Sequence, residues 1–185
     1  MDQRGLVERA REGDHDAFAI LVDLTIARLH AAARLILRDP ELAHDAVQEA
    51  LITAWRRMKG LRDPDAFDAW LYRLLVNASL DLARRRRRRV FEVELQPTDE
   101  PAVPDTTGAF ADRVVLDEAL AGLPPGHRAV VVLHYYLGMP LPEVARSVGI
   151  PLGTAKSRLH YALTAMRATV AADQRATQLA EGQPA

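Results

Sequence analysis

The sequence predicts an all-α protein, built as two small helical domains joined by an acidic linker. Three observations predict it. Apolar residues recur at helical spacing over most of the chain. The composition is rich in Ala and Leu, with only 5% aromatic residues, which favours helices over sheets. The periodicity is lost in one internal stretch where proline, acid and threonine dominate. With 185 residues, 49% of them hydrophobic, the chain can pack one average domain or two small ones.

The first domain is expected over residues 1–90. Phe18, Leu21, Val22, Ile26, Leu29, Ala33 and Ile36 make one helical face. Asp39-Pro40 is a helix start, a capping carboxylate followed by proline in the first turn. The next face is Leu42, Ala46, Val47, Ala50, Leu51, Ala54 and Trp55, and Gly60 closes it. Asp63-Pro64 repeats the start signal. The helix that follows carries Phe67, Trp70, Leu71, Leu74, Leu75, Ala78 and Leu82 and runs into six consecutive arginines, Arg84 to Arg89. Residues 91–111 read as an extended acidic linker. The second domain is expected over 112–173. It has a helix after Pro124-Pro125, a short helix over Pro142–Val148, a corner at Gly149-Ile150-Pro151, and a long helix from about Gly153 to Ala172. Residues 174–185 read as a polar, flexible tail.

Charge is segmented. The formal net charge is −1. Residues 1–90 hold 17 basic and 14 acidic side chains, residues 91–118 hold 1 and 8, and residues 119–185 hold 6 and 3. Two mildly basic ends therefore flank an acidic middle. No cysteine is present, which removes disulfides, zinc–thiolate sites and thiol switches and fits a reducing cytoplasm. Met1 to Asp16 is charged throughout rather than a signal peptide, and no run of about 18 apolar residues occurs, so no membrane insertion is expected.

Three constellations carry chemistry. Asp45, Gln48 and Glu49 share one face of a helix at i, i+3 and i+4, a cluster able to dock a basic partner helix or simply to face solvent. Arg73, Asn77, Asp81 and Arg84 or Arg85 form an exposed stripe. Its arginines suit phosphates, and its Asn and Asp suit base edges. In "LPEVARSVGIPLGTAKSRLHYALTAMR", Ala145 is small enough for a second helix to cross it. Gly149 can take the left-handed conformation of a sharp corner. Val144, Val148, Ile150, Ala155, Leu159, Leu163 and Met166 form the shared core. That leaves Lys156, Ser157, His160 and Tyr161 on an outward strip able to enter a major groove, with Thr154 near a phosphate. An ordinary helix corner with a polar face would show the same pattern.

Taken together and in order, "DAVQEALITAWRR", "RDPDAFDAWLYRLLVNASLDLARR", "LPPGHRAVVVLHYYLGMPLPEVA" and "GIPLGTAKSRL" resemble the bacterial RNA polymerase sigma factors of the extracytoplasmic-function type, in the sigma-70 family. The resemblance covers residues 3–90 and 112–170. It implies a sigma domain 2 bundle that docks core polymerase and recognises and melts the −10 element, and a sigma domain 4 helix-turn-helix that reads the −35 element. Asp45, Gln48 and Glu49 fall where the family meets the β′ clamp helices. Lys59, Leu61 and Arg62 fall in the loop that captures an unstacked −10 base. Arg73, Asn77, Asp81, Arg84 and Arg85 fall on the helix that reads and holds that element. Thr154, Lys156, Ser157, His160 and Tyr161 fall on the −35 reader, beside the β flap. Many members have arginine at the place of Tyr161 and asparagine at the place of Asp81. The implied partners are core RNA polymerase and promoter DNA, with an anti-sigma protein as a further one. The acidic linker would thread the basic path later taken by RNA.

The rival reading is a helix-turn-helix regulator that binds DNA without polymerase. It accounts for the second domain but not for the arginine-lined helix of the first. An enzyme is not expected. The histidines at 15, 30, 44, 127, 134 and 160 form no compact ligand set, and neither a phosphate-cradling glycine loop nor a nucleophile elbow is present. No metal or cofactor is expected.

Overall fold

The computed structural model describes residues 2–93 and 109–181. These residues are helical with no strand among them. The first domain comprises α1 (Gln3–Arg11), α2 (His15–Leu37), α3 (Pro40–Arg57) and α4 (Phe67–Val93), with two 3₁₀ turns, Met58–Gly60 and Pro64–Ala66, between α3 and α4. The second comprises α5 (Ala109–Ala121), α6 (Pro125–Val131), a π turn over Val132–Tyr136, α7 (Leu141–Val148) and α8 (Leu152–Glu181).

The first three helices and the turn before α4 start on an aspartate. Asp2 accepts from the Gly5 N–H, Asp14 from Ala17 and Asp39 from Leu42, each at 3.0 Å, and Asp63 accepts from Asp65 at 3.1 Å. Asp39 and Asp63 are the two starts expected from sequence. At Asp14 the Ala17 N–H, and then the Arg9 guanidinium, hold the carboxyl below its ordinary 3.8. The expected apolar faces meet in the core: Leu21, Leu29, Ala33 and Ile36 of α2, Ala46, Val47, Ala50 and Ala54 of α3, and Phe67, Leu71, Leu74, Leu75 and Ala78 of α4 are buried. The turn between α2 and α3 is made by Arg38, whose φ of 56° is left-handed, a region unfavourable for a side-chain-bearing residue.

Three element boundaries differ from the sequence reading. α4 runs on to Val93, because arginine is a good helix former and the run contains no breaker. α5 begins at Ala109. Residues 94–108, most of the expected linker, lie outside the described residues, and with them Glu94, Asp99, Glu100 and Asp105. α8 continues to Glu181 through the expected tail, whose Gln, Arg, Ala and Leu are all compatible with helix.

The two domains touch. α4 packs on α7, and α2 packs on α6 and on the π turn. One buried cluster includes Leu75 and Val76 of α4 together with Val130, Leu133 and Val144 of the second domain. A smaller cluster, Leu120, Leu123, Val131 and Ala162, ties α5 to α6 and α8, with Leu35 of α2 packed against it.

Candidate nucleic-acid interface

The first domain carries an open concavity of about 440 Å³ between the end of α3 and the outer face of α4. Arg57, Gly60, Trp70, Arg73, Leu74 and Asn77 line it. The chain builds it by stopping α3 early. Met58–Gly60 tightens into a 3₁₀ turn, the loop crosses over the start of α4, and buried Met58, Leu61 and Pro64 pin that loop to the core. Leu61 is only 6% exposed and packs into the core at the base of the loop. Lys59 and Arg62 point outward on either side of it. An apolar wall from Trp70 and Leu74, two guanidinium groups and one amide make a place for a flat, hydrogen-bonding group attached to an anion. An unstacked nucleotide has that chemistry. Arg57 and Trp70 were not among the sequence candidates. Trp70 read as core from its spacing, yet it is only half-buried.

From the concavity α4 continues as a charged stripe. At about 100° per residue, Arg73, Asn77, Asp81, Arg84 and Arg88 fall within roughly one quarter of the helix circumference, while Arg86 falls on the far side. The ion pairs follow this division. Arg86 turns back to the protein and binds Asp39 at 2.6 Å. Arg84 pairs with Asp81 on the exposed stripe. Asp81 is thereby neutralised by a neighbour, which removes the repulsion that a bare carboxylate would present to a phosphate. Arg84 to Arg88 are all exposed. By angle, Arg88 extends the stripe better than Arg85.

The face of α3 turned away from its core carries Asp45, Gln48 and Glu49, all exposed and with no ion pair among the described residues. Ile52, one turn further on, is 44% exposed on the same side.

In the second domain, Gly149 ends α7 at φ 71° and ψ 38°, and the Ile150 N–H reaches back to the Ala145 carbonyl at 3.0 Å. This sharp corner lays α8 across Ala145, which is buried. Lys156, Ser157, His160 and Tyr161 all stand exposed on the outer side of α8, and Thr154 is half-buried at its start. The strip is partly pre-ordered. Ser157 donates to the Thr154 carbonyl at 3.0 Å, leaving its lone pairs outward, and the His160 and Tyr161 rings meet edge to face at 6.1 Å. Behind it, Arg158 packs on the start of α6 so closely that a side chain on Gly126 would meet its Nη1 at 3.2 Å. Burial, and then this guanidinium, push His127 below its ordinary 6.5. Among the described residues no group of three or more His, Asp or Glu could hold a metal ion, and no helix is long and apolar enough to cross a membrane.

Comparison with known proteins agrees with this layout. The family model for Sigma-70 region 2 matches residues 21–89, and that for Sigma-70, region 4, matches residues 113–166. The chain is 37% identical over 153 residues to the ECF RNA polymerase sigma factor SigL of Mycobacterium tuberculosis (strain H37Rv), covering 81% of this chain and 86% of that protein. It is 35% identical over 136 residues to the RNA polymerase sigma-E factor of Streptomyces coelicolor, covering 74% and 76%. Among solved structures, CnrH in complex with the cytosolic domain of CnrY matches with a TM-score of 0.66 and 30% identity, over 92% of this chain and 98% of that one. The sigma factor RpoE of Bartonella quintana, solved with the anti-sigma factor NepR, matches with a TM-score of 0.71 at 24% identity, over 84% of this chain and 98% of that one, a likeness of fold alone.

Proposed function

Because the chain belongs to the extracytoplasmic-function group of the sigma-70 family, and so is a sigma factor that binds core RNA polymerase and directs promoter-specific initiation, we propose how its surfaces divide that work. The first domain, residues 1–90, docks polymerase through Asp45, Gln48, Glu49 and Ile52, against the β′ clamp helices. It takes one unstacked base of the −10 element into the concavity between Arg57, Trp70 and Asn77. Lys59, Arg62, Arg73, Arg84 and Arg88 hold the phosphates around that base. The second domain, residues 112–173, enters the major groove of the −35 element with Lys156, Ser157, His160 and Tyr161.

The observation that carries this reading is the concavity. It is open, has one apolar wall, and lies at the head of an arginine stripe that leads away from it on a single helix. Flipping a base costs a few kcal/mol, and stacking on an aromatic ring returns about 1–3 kcal/mol. The chain carries no chemistry of its own in this reading; it positions the polymerase, in the cytoplasm where polymerase and chromosome are. CnrH and RpoE were solved with CnrY and with an anti-sigma factor, which supports a partner of that kind here.

The test is reconstitution with core polymerase, with mapping of transcription starts and permanganate footprinting of the melted region. Trp70→Ala should bind promoter DNA in the presence of core and fail to hold the −10 region open. Normal permanganate reactivity with Trp70→Ala would remove the base-capture role.

A further inference from the structure

The first helix has no part in the division of work above, yet it grips the loop that forms one side of the concavity. α1 packs on both 3₁₀ turns that frame this loop, Met58–Gly60 and Pro64–Ala66. Its apolar face, Leu6, Val7 and Ala10, is buried in the core. Its first turn makes the polar contacts. Arg4 Nη1 donates to Asp65 Oδ2 at 2.7 Å, across 61 residues of sequence. Gln3 Nε2 donates to Asp68 Oδ1 at 2.7 Å, across 65 residues. Asp65 lies in the second 3₁₀ turn and Asp68 in the first turn of α4. One short helix thus holds both the exit of the loop and the start of the helix that follows it.

The grip is itself held. Arg4 Nε donates to Glu8 at 3.2 Å, one turn further along α1, so the guanidinium lies between two carboxylates and is aimed at the loop. Asp2 caps the helix on the Gly5 N–H. A Cβ at Gly5 would meet the Asp2 Oδ1 at 3.0 Å, so glycine lets the cap close. Asp65 is fixed from another side, its N–H donating to the Asp63 side chain at 3.1 Å.

Folding stability does not account for these contacts. The Arg4 and Asp65 side chains are 53% and 63% exposed, and ion pairs so open to water add little to stability. The loop already has apolar anchors in buried Met58, Leu61 and Pro64. Those anchors fix only its inner side. Gly60 of the loop and Trp70 of α4 both line the concavity, and Asp65 and Asp68 lie between them in the sequence. Contacts at those two carboxylates therefore set how the loop stands relative to the indole.

We propose that Gln3 and Arg4 are positioning residues for the captured base. Through Asp68 and Asp65 they hold the loop of residues 59–63 at the spacing from Trp70 that lets the concavity tell one base from another. The proposal rests on the base-capture reading above, and neither residue touches DNA in it. Discrimination by fit needs a frame held to a fraction of an ångström. A loop displaced by about 1 Å loses that fit while still offering Lys59 and Arg62 to phosphates.

The test uses the full chain with core polymerase. The probes are single-stranded oligonucleotides carrying the −10 element of a promoter mapped for this protein, with each of the four bases in turn at the captured position. Wild-type holoenzyme should prefer one base by about tenfold. Gln3→Ala with Arg4→Ala should reduce that preference to about twofold, with core affinity and thermal midpoint near wild type. Arg4→Glu alone should be at least as harmful. Arg4→Glu with Asp65→Arg should recover most of the preference, because the pair is remade with its signs exchanged. Full preference in the double alanine variant overturns the proposal. So does a loss matched by an equal fall in core affinity or thermal midpoint, which would make α1 a structural prop. Failure of the exchanged pair to recover what Arg4→Glu lost overturns it as well. Base capture is scored separately, before any α1 variant is made. Should the wild type show no base preference, or Trp70→Ala keep it in full, that reading falls and takes this proposal with it.

Discussion

The two domains are stabilised by different means, and the difference bears on how each is used. In the first domain, three helices and the turn before the fourth begin on aspartate caps, and the four helices enclose most of the core. In the second domain α6 and α7 begin at prolines with no side-chain cap, one turn is π-helical, and the cluster private to the domain is small. Much of its remaining apolar surface is buried against the first domain. The first domain is thus a self-supporting platform, on which the proposed docking face and the concavity keep fixed positions. The second is a lighter reader whose stability depends on what it leans against.

The largest effect expected is at the platform. Asp45→Lys with Glu49→Lys should weaken binding to core polymerase by about a hundredfold or more, since it places like charge against a basic partner. Stability should change by about 0.5 kcal/mol or less, because both side chains are exposed. Normal binding by the reversed protein would dismiss the docking face. The asymmetry in stability comes next. Leu133→Ala, at a fully buried site shared by the two domains, should cost about 2–5 kcal/mol. Hydrogen exchange should accelerate in α6 to α8 well before α2 and α3, and uniform acceleration would show that the platform is not independent.

At the DNA the two readers should fail differently. His160→Ala should alter discrimination among upstream sequences by about 1–3 kcal/mol at the contacted base. Arg73→Ala should weaken binding to all sequences alike and lower the salt slope by about 1. If His160→Ala weakened every sequence equally, α8 would be holding backbone rather than reading bases.

The smallest effect is a pH dependence confined to the second domain. Burial and Arg158 lower the His127 pKa in the folded chain. The unfolded chain therefore binds the proton more readily, so stability from this group is present above about 6.5 and is lost as pH falls through the folded value. Thermal melts from pH 7.5 to 5 should show the second domain weakening, and His127→Gln should flatten that slope. A slope unchanged by the substitution would place its origin elsewhere.

Features set by nearby residues were legible in the sequence. Asp39-Pro40 and Asp63-Pro64 announced helix starts, the three- and four-residue spacing named the cores of α2, α3 and α4, and Gly149 marked the corner before α8. Features that depend on a partner far along the chain were not. Leu61 lies in a loop with no local signal of burial, yet it is packed into the first domain's core. Arg86 looked like the other arginines until Asp39, 47 residues earlier, came within reach. No local pattern marks Arg128, yet it is only 8% exposed, with the Leu120 carbonyl of α5 and the Arg38 guanidinium nearby. The joined core of the two domains left no local trace, because the same apolar stripe serves a helix whether its neighbour is its own domain or another.

α4 has a further consequence as a ruler. Between Arg73 at the concavity and Arg88 near its far end, the helix advances about 22 Å, at about 1.5 Å per residue. That equals roughly six or seven base-pair steps. In the proposed reading a rigid rod of this length fixes the phase between the captured base and the phosphates held upstream, much as the tooth spacing of a key fixes the lock that it opens. Inserting a single alanine between Asp81 and Arg84 would leave every charge in place, yet it would turn the upstream arginines by about 100° relative to the concavity and set the two grips out of step with the duplex.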